Sequence, residues 1–217
     1  MTADSHALTT TGHGPVATAG HGPATAGHES RGGISNPILG MLLFITSEVM
    51  FFAGLFGAYF STRAAHSPWP PDKFAGTLNP IGLILIATII LVMSSVTCQL
   101  AVNAIRRGDR TAFMRNIAVT FILGIVFLIM QMYDYSVLFG EGLTMDAGPF
   151  GTTYYTLTGF HGAHVFGGVI MLGVVLYRGT AGQFSARHHD AVEAASLYWH
   201  FVDVVWIILF SVLYLLP

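Results

Sequence analysis

The chain has 217 residues, of which 53% are apolar and only 9% are charged. Because soluble domains carry about a quarter charged residues, this composition excludes an ordinary soluble domain and indicates a membrane protein. The nine Lys and Arg residues against eleven Asp and Glu leave no basic face, which excludes a nucleic-acid-binding protein.

Residues 1–35 form a Gly-, Ala-, Thr- and His-rich segment that differs from the rest of the chain. Such a composition cannot build a core, so we expect a disordered cytoplasmic tail, with loose metal binding by its histidines as the alternative. These histidines are His6, His13, His21 and His28. The segment does not have the pattern of a secretory signal, so we do not expect one.

Five apolar stretches follow, each long enough to cross a bilayer, which takes about 20 helical residues. They lack strand-like alternation, and lipid offers the backbone no hydrogen-bond partner, so helices are expected. Residues 36–217 are therefore predicted to be an all-α integral membrane domain, a bundle of five transmembrane helices. The spans lie near residues 37–62, 80–104, 115–139, 152–177 and 192–216. Asn36 and Asn79, each followed by proline, are the predicted N-caps of the first two spans.

The basic residues predict the orientation of these spans. Seven of the nine lie in the tail or in the second and fourth connections, on one side of the membrane. Arg63 and Lys73 lie on the other side. By the positive-inside rule, the amino terminus is expected in the cytoplasm and the carboxyl terminus on the opposite side.

Glu48 is the most deeply placed acid of the first span, since it follows Pro37 by about 16 Å of helix and so lies near the bilayer midplane. A charge at that depth costs about 2.5 kcal/mol or more. We therefore expect Glu48 to be protonated or hydrogen-bonded inside the bundle. Two roles stay open: a neutral hydrogen bond between helices, and a proton-linked function.

The fourth span carries His161 and His164, which are three residues apart and are expected on one helix face. Small residues at four-residue spacing in the first and fourth spans predict that these two helices pack closely. They are Ala53 with Gly57, Gly54 with Ala58, and the series Gly159, Ala163 and Gly167.

The fifth span carries His200 and Asp203, at a spacing that would let the aspartate orient the imidazole. Three intramembrane histidines do not supply the ligands of a di-iron centre, and nothing in the sequence identifies a haem pair. The sole cysteine, Cys98, excludes disulfides within the chain and thiolate clusters. We predict no metal, no cofactor and no catalytic centre in this chain, and polar contacts within the bundle or with a partner chain instead.

Two charged residues lie near span ends. Asp134 lies in QMYDY, where Tyr133 and Tyr135 are expected to anchor the third span at the membrane interface. Arg178 ends the fourth span, where a long basic side chain can reach a lipid phosphate, although any arginine at a helix end fits the same pattern.

Four motifs, ITSEVMFFAGLF, QMYDY, FGTTYYTLTGFHGAHVFGG and LYWHFVDVVW, occur in this order along the chain. Together they resemble subunit III of the haem-copper respiratory oxidases, in the cytochrome c oxidase branch and its short five-helix bacterial form. The resemblance covers about residues 36–217. It implies a bacterial inner-membrane protein that packs on subunit I, with subunit II and a small fourth subunit as further partners. Haem and copper are then expected in the partner subunits, and phospholipid on this chain.

The resemblance also implies roles for single residues. Glu48 matches the intramembrane glutamate of the family, whose carboxyl group reacts with carbodiimide. Arg178 matches an arginine near bound phospholipid, while His200, Asp203 and Trp206 match the signature of the last helix. The family function implied is support of subunit I, of its proton uptake and of oxygen access.

Two other functions stay open. The chain could be the equivalent subunit of a quinol oxidase or nitric oxide reductase, but glutamate at position 48 favours the cytochrome c branch. It could also be an independent proton-linked transporter that uses Glu48 and the histidines as a relay. The short length and the lack of two repeated halves with broken helices disfavour the transporter.

Overall fold

The computed structural model describes residues 35–74, 76 and 82–216. Its five long helices are α1 (Asn36–Ala65), α2 (Leu83–Arg106), α3 (Arg110–Gly140), α4 (Pro149–Thr180) and α5 (Asp190–Phe210). A 3₁₀ turn follows α1 at Asp72–Phe74, and a π-helical turn at Ser211–Leu215 extends α5. All five helices are long and apolar enough to cross a membrane, which confirms the predicted fold class.

The helix starts differ from the predicted N-caps. Asn36 is the first residue of α1, and the preceding Ser35 forms no side-chain cap hydrogen bond. A side-chain cap is found instead on α3, where Oδ1 of Asp109 accepts a hydrogen bond from the backbone N–H of Ala112 at 2.9 Å. Asn79 and the predicted tail up to residue 34, including its histidines, lie outside the described residues.

Helix α5 is the most buried of the five and packs against α1, α2 and α4. Trp199 and Trp206 lie two turns apart on it and are almost fully buried. Their indole N–H groups donate to Ser94 Oγ at 2.9 Å and to Thr88 Oγ1 at 3.0 Å. Because a buried indole N–H needs an acceptor, these two bonds fix the position of α5 along α2.

Two glycines let α3 and α4 approach the indole of Trp199. A Cβ atom built on Gly124 of α3 would lie 2.7 Å from the ring, and one built on Gly168 of α4 would lie 2.8 Å from it. Both positions therefore require a residue without a side chain. The sequence pattern did not single them out, because their close neighbour is a tryptophan on another helix.

Helices α1 and α4 are in contact, but not through the small residues from which close packing was predicted. A Cβ atom on Gly54, Gly57 or Gly159 would meet nothing within 4 Å, and Ala53, Ala58 and Ala163 are exposed. A stripe of small residues shows where a neighbour can approach closely, but it does not show that a neighbour is there.

Helix α1 lies at the edge of the bundle and packs against α4 and α5. Of its thirty residues, all of them described, only Phe52 and Tyr59 are buried. Phe52 contacts the rings of His164 and Phe201, with centroids 4.9 and 6.2 Å away. Helix α1 therefore presents a long apolar surface to its surroundings.

Candidate functional site

Glu48 of α1 and His164 of α4 form a polar pair between the two helices. Oε2 of Glu48 lies 2.9 Å from Nε2 of His164, and both side chains are mostly buried, at 17% and 16% exposed. The other ring nitrogen, Nδ1, lies 2.6 Å from the backbone oxygen of Phe160. Because a carbonyl oxygen only accepts hydrogen bonds, Nδ1 carries a hydrogen, and Nε2 is the nitrogen that shares a proton with Glu48.

Aromatic side chains surround this pair. The ring of Phe52 lies 4.9 Å from that of His164, and Phe51 packs edge-on against Phe160 at 5.1 Å. The hydroxyl of Tyr198 on α5 donates to the backbone oxygen of His164 at 3.0 Å. In this apolar setting the hydrogen bond between Glu48 and His164 is electrostatically stronger than it would be in water. The site can hold one proton, either on the carboxyl group or on the imidazole.

The side chain of His161 contacts α3 and α5, whereas that of His164 contacts α1, although the spacing predicted one face. It is fully buried, and its Nε2 donates to the backbone oxygen of Val202 at 3.2 Å. Its ring packs against Trp206 and Phe127, with centroids 4.8 and 6.0 Å away. Nδ1 has no hydrogen-bond partner in the described part of the chain. The two histidines therefore do not form one site.

Asp203 makes no direct hydrogen bond to His200 in the described part of the chain, although their spacing had suggested one. The ring of His200 binds α2 instead: Nδ1 lies 2.5 Å from Ser95 Oγ and Nε2 lies 3.3 Å from Gln99 Oε1. Asp203 is only 4% exposed, and within the described ranges neither of its oxygens has a hydrogen-bond partner. Both residues face α2, and polar side chains of α2 form the hydrogen bonds of the imidazole.

A tyrosine cluster joins α3, α4 and the end of α5, and no sequence pattern indicated it. The hydroxyl oxygens of Tyr154 and Tyr214 are 2.5 Å apart, and Tyr154 also donates to Asp134 at 3.4 Å. Tyr135 donates to Thr158 Oγ1 at 2.7 Å and so bonds within the bundle, whereas Tyr133 is 61% exposed. Asp134 is thus tied to the bundle as well as close to its end.

Arg178 lies at the end of α4, beside a cleft that His188, His189 and Asp190 also line. Its Nε donates to Gln183 Oε1 at 2.8 Å, and its guanidinium group stacks over the ring of Phe184 at 4.9 Å. This arrangement holds the side chain at the helix end, where a guanidinium group can bind an anion.

Next to this cleft, Glu193 links α5 to α2. Its Oε1 lies 2.7 Å from a terminal nitrogen of Arg106 and 3.0 Å from Nε2 of His189. In residues 35–74, 76 and 82–216, no group of three or more His, Cys, Asp or Glu side chains is placed to hold a metal ion. Cys98 is a free, buried thiol.

Comparison with known proteins agrees with the motifs. Residues 25–216 match the family model of cytochrome c oxidase subunit III. The chain is 42% identical over 180 residues to the probable cytochrome c oxidase subunit 3 of Mycobacterium bovis, which covers 81% of this chain and 86% of that protein. It is 41% identical to cytochrome c oxidase subunit 3 of Thermostichus vulcanus, over 82% of this chain and 87% of that protein. It is 39% identical to cytochrome c oxidase subunit 3 of Danio rerio, over 81% of this chain and 67% of that protein. The chain therefore belongs to the cytochrome c oxidase subunit III family.

Proposed function

We propose that this chain is the non-catalytic subunit III of a proton-pumping cytochrome c oxidase in the bacterial cell membrane. The family match and the names of the relatives support a place in an oxidase complex with cytochrome c as the electron donor. In this proposal the chain packs on subunit I, and haem and copper belong to the partner subunits. Subunit II and a small fourth subunit complete the complex, and the amino terminus faces the cytoplasm.

The Glu48–His164 pair is the observation that carries the proposed role. It gives α1 a polar anchor on α4, and α1 otherwise buries few side chains. By holding α1 in place and by keeping one exchangeable proton there, the pair supports the proton-entry side of subunit I. Apolar grooves between α3 and α4, lined by residues such as Leu128 and Phe166, suit acyl chains or dissolved oxygen and support a role in oxygen access.

The test is oxygen consumption by the purified oxidase over many turnovers, with this chain carrying Glu48→Gln or Glu48→Ala. We expect assembly and initial rate to be close to wild type, and the active lifetime to be shortened, more by alanine than by glutamine. Glu141→Gln is the matched control, since Glu141 is exposed at the end of α3. If both Glu48 variants keep assembly, rate and lifetime unchanged, the pair is a packing contact only and the proposed role is wrong.

Arg178 is proposed to bind the phosphate of a phospholipid. The guanidinium group is held at the helix end by Gln183 and Phe184, and it borders a cleft next to the aqueous side of the bundle. Planar guanidinium groups bind phosphate oxygens in pairs, which a lysine does less well.

A further inference from the structure

Polar side chains of α2 and α5 form a chain that leads towards the buried carboxyl group of Asp203. This chain is separate from the Glu48–His164 pair. Nε2 of His200 lies 3.3 Å from Gln99 Oε1, and its Nδ1 lies 2.5 Å from Ser95 Oγ. Ser95 also lies near the carboxyl group of Asp203. The carboxyl oxygens nevertheless have no hydrogen-bond partner among the described residues. A buried polar group in this state requires an explanation.

Gln99 fixes the direction of the hydrogen bonds in this chain. Its amide nitrogen donates to Asn103 Oδ1 at 3.2 Å, so its oxygen is the atom that faces His200. Neutral His200 must then carry its hydrogen on Nε2 and present a lone pair at Nδ1. Ser95 therefore donates its hydroxyl hydrogen to Nδ1, and the lone pairs of its oxygen remain for Asp203.

While His200 is neutral, Asp203 can enter this chain only as a hydrogen-bond donor. A buried carboxylate that faces an acceptor has nothing to offset its loss of hydration. A protonated Asp203 instead donates its O–H to Ser95 and completes the chain. The helices packed around this part of α5 carry other titratable groups: Glu48 of α1, Cys98 of α2, and His161 and His164 of α4. Glu48 and the two histidines each have a hydrogen-bond partner elsewhere, and Cys98 is a thiol.

The chain opens to a cleft of about 140 Å³ where α2 ends and α5 begins. Gln99 and His200 line this cleft, together with the ion pair of Arg106 and Glu193. His200 is partly exposed there, whereas Asp203 is 4% exposed. Water in the cleft can therefore reach the imidazole, and the imidazole stands between the cleft and the buried acid.

We propose that Asp203, Ser95 and His200 form a proton-binding site that exchanges its proton with this cleft. Asp203 gives its proton to Ser95 Oγ while the hydroxyl hydrogen of Ser95 passes to Nδ1 of His200. Two bonds to hydrogen break and two form, Ser95 keeps one hydrogen, and the products are a carboxylate and an imidazolium. The imidazolium then gives a proton to water in the cleft, and the reverse steps reload Asp203. This site goes beyond the proposed function of Glu48 and does not depend on it.

The test is infrared spectroscopy of the purified oxidase complex, with hydrogen–deuterium exchange followed at the carbonyl band of protonated carboxyl groups. We expect one such band to disappear in Asp203→Asn. In Ser95→Ala the band should remain, but its shift in deuterium oxide should slow at least several-fold, since the connection to His200 is cut. Ser95→Thr keeps the hydroxyl group and should restore the wild-type exchange rate. Ser211→Ala is the control, because the Ser211 hydroxyl bonds the Ile207 carbonyl in its own turn.

Two results would overturn the proposal. If the spectrum of Asp203→Asn keeps every protonated-carboxyl band, Asp203 does not hold a proton. If Ser95→Ala exchanges as fast as wild type, the proton reaches Asp203 by another route. Ser95→Thr keeps the hydroxyl group and so separates loss of the relay from a disturbed fold. An exchange rate that stays slow in Ser95→Thr also contradicts the relay. Glu48→Gln should leave the Asp203 band and its exchange unchanged, so failure of this proposal is distinguishable from failure of the role given to Glu48.

Discussion

Nε2 of His164 lies 2.9 Å from Oε2 of Glu48, and this contact joins two helices that otherwise meet through aromatic rings. The bond is held in place from the other side of the imidazole, where Nδ1–H donates to the Phe160 carbonyl of the same helix. The position of the imidazole is therefore set by α4, and Glu48 brings α1 to it.

Replacing His164 by alanine should destabilise the folded chain. The change leaves the Glu48 carboxyl group mostly buried without its partner, which costs about 1–3 kcal/mol. Thermal unfolding of the purified chain in mild detergent measures the loss, with the exposed His188→Ala as the control. In the double variant with Glu48→Gln, the loss should be smaller than the sum of the single losses. Strict additivity would mean that the two side chains are not coupled.

Gly168→Ala should be more harmful than Gly159→Ala, although both lie in α4. The new methyl group at Gly168 would lie 2.8 Å from the buried ring of Trp199, and overpacking of this kind costs about 1–3 kcal/mol. At Gly159 the methyl group meets nothing within 4 Å, and alanine is favoured over glycine in a helix by about 0.5–1 kcal/mol. Unfolding temperatures of the two variants should therefore move in opposite directions. Equal losses at both sites would contradict the packing described for Trp199.

The Asp109 cap predicts a difference between two substitutions. Asp109→Ala removes the acceptor of the Ala112 N–H and should cost about 1 kcal/mol, whereas Asp109→Asn keeps an acceptor and should cost less. The free energy of unfolding in denaturant measures both. If alanine and asparagine behave alike, the cap does not stabilise α3.

Arg178→Ala should reduce the phospholipid that stays with the purified complex. The substitution removes the guanidinium group at the cleft, and Arg178→Lys should retain part of the binding through charge alone. Phosphorus analysis after extensive detergent washing measures the bound lipid. Arg115→Ala, at an exposed position near the start of α3, is the control. Unchanged lipid content in Arg178→Ala would limit Arg178 to its contacts with Gln183 and Phe184.

The helices could be predicted because the requirement is simple: about 20 apolar residues must cross the bilayer with every backbone group bonded. The exact starts could not, since a cap depends on local geometry, and Asn36 lies inside α1 instead of before it. The sequence also singled out Glu48, because it is an acid in the middle of an apolar span. Its partner could not be predicted, because the spacing within one helix gives a face but does not say which helix lies against that face.

Asp203 and His200 also show that spacing within one helix does not identify a partner on another helix. Their three-residue spacing suggested a pair, yet the imidazole binds Ser95 and Gln99 of α2. These partners lie on another helix, so the local sequence of α5 does not indicate them. The two tryptophans on α5 were the better signal, since residues seven apart lie on one face and their indole nitrogens each needed an acceptor on a neighbouring helix.

The position of α1 has a consequence for the order in which the protein is made. Helix α1 is synthesised before the others described here, but the helices against which it packs, α4 and α5, are synthesised after α2 and α3. Its carboxyl group at position 48 is therefore synthesised well before His164, its partner on α4. Until translation reaches the fourth helix, α1 has to be sheltered by lipid, by the insertion machinery or by another subunit. The contacts of α1 within this chain therefore form only after α4 and α5 have been synthesised, and a truncation that removes these two helices would leave α1 without them.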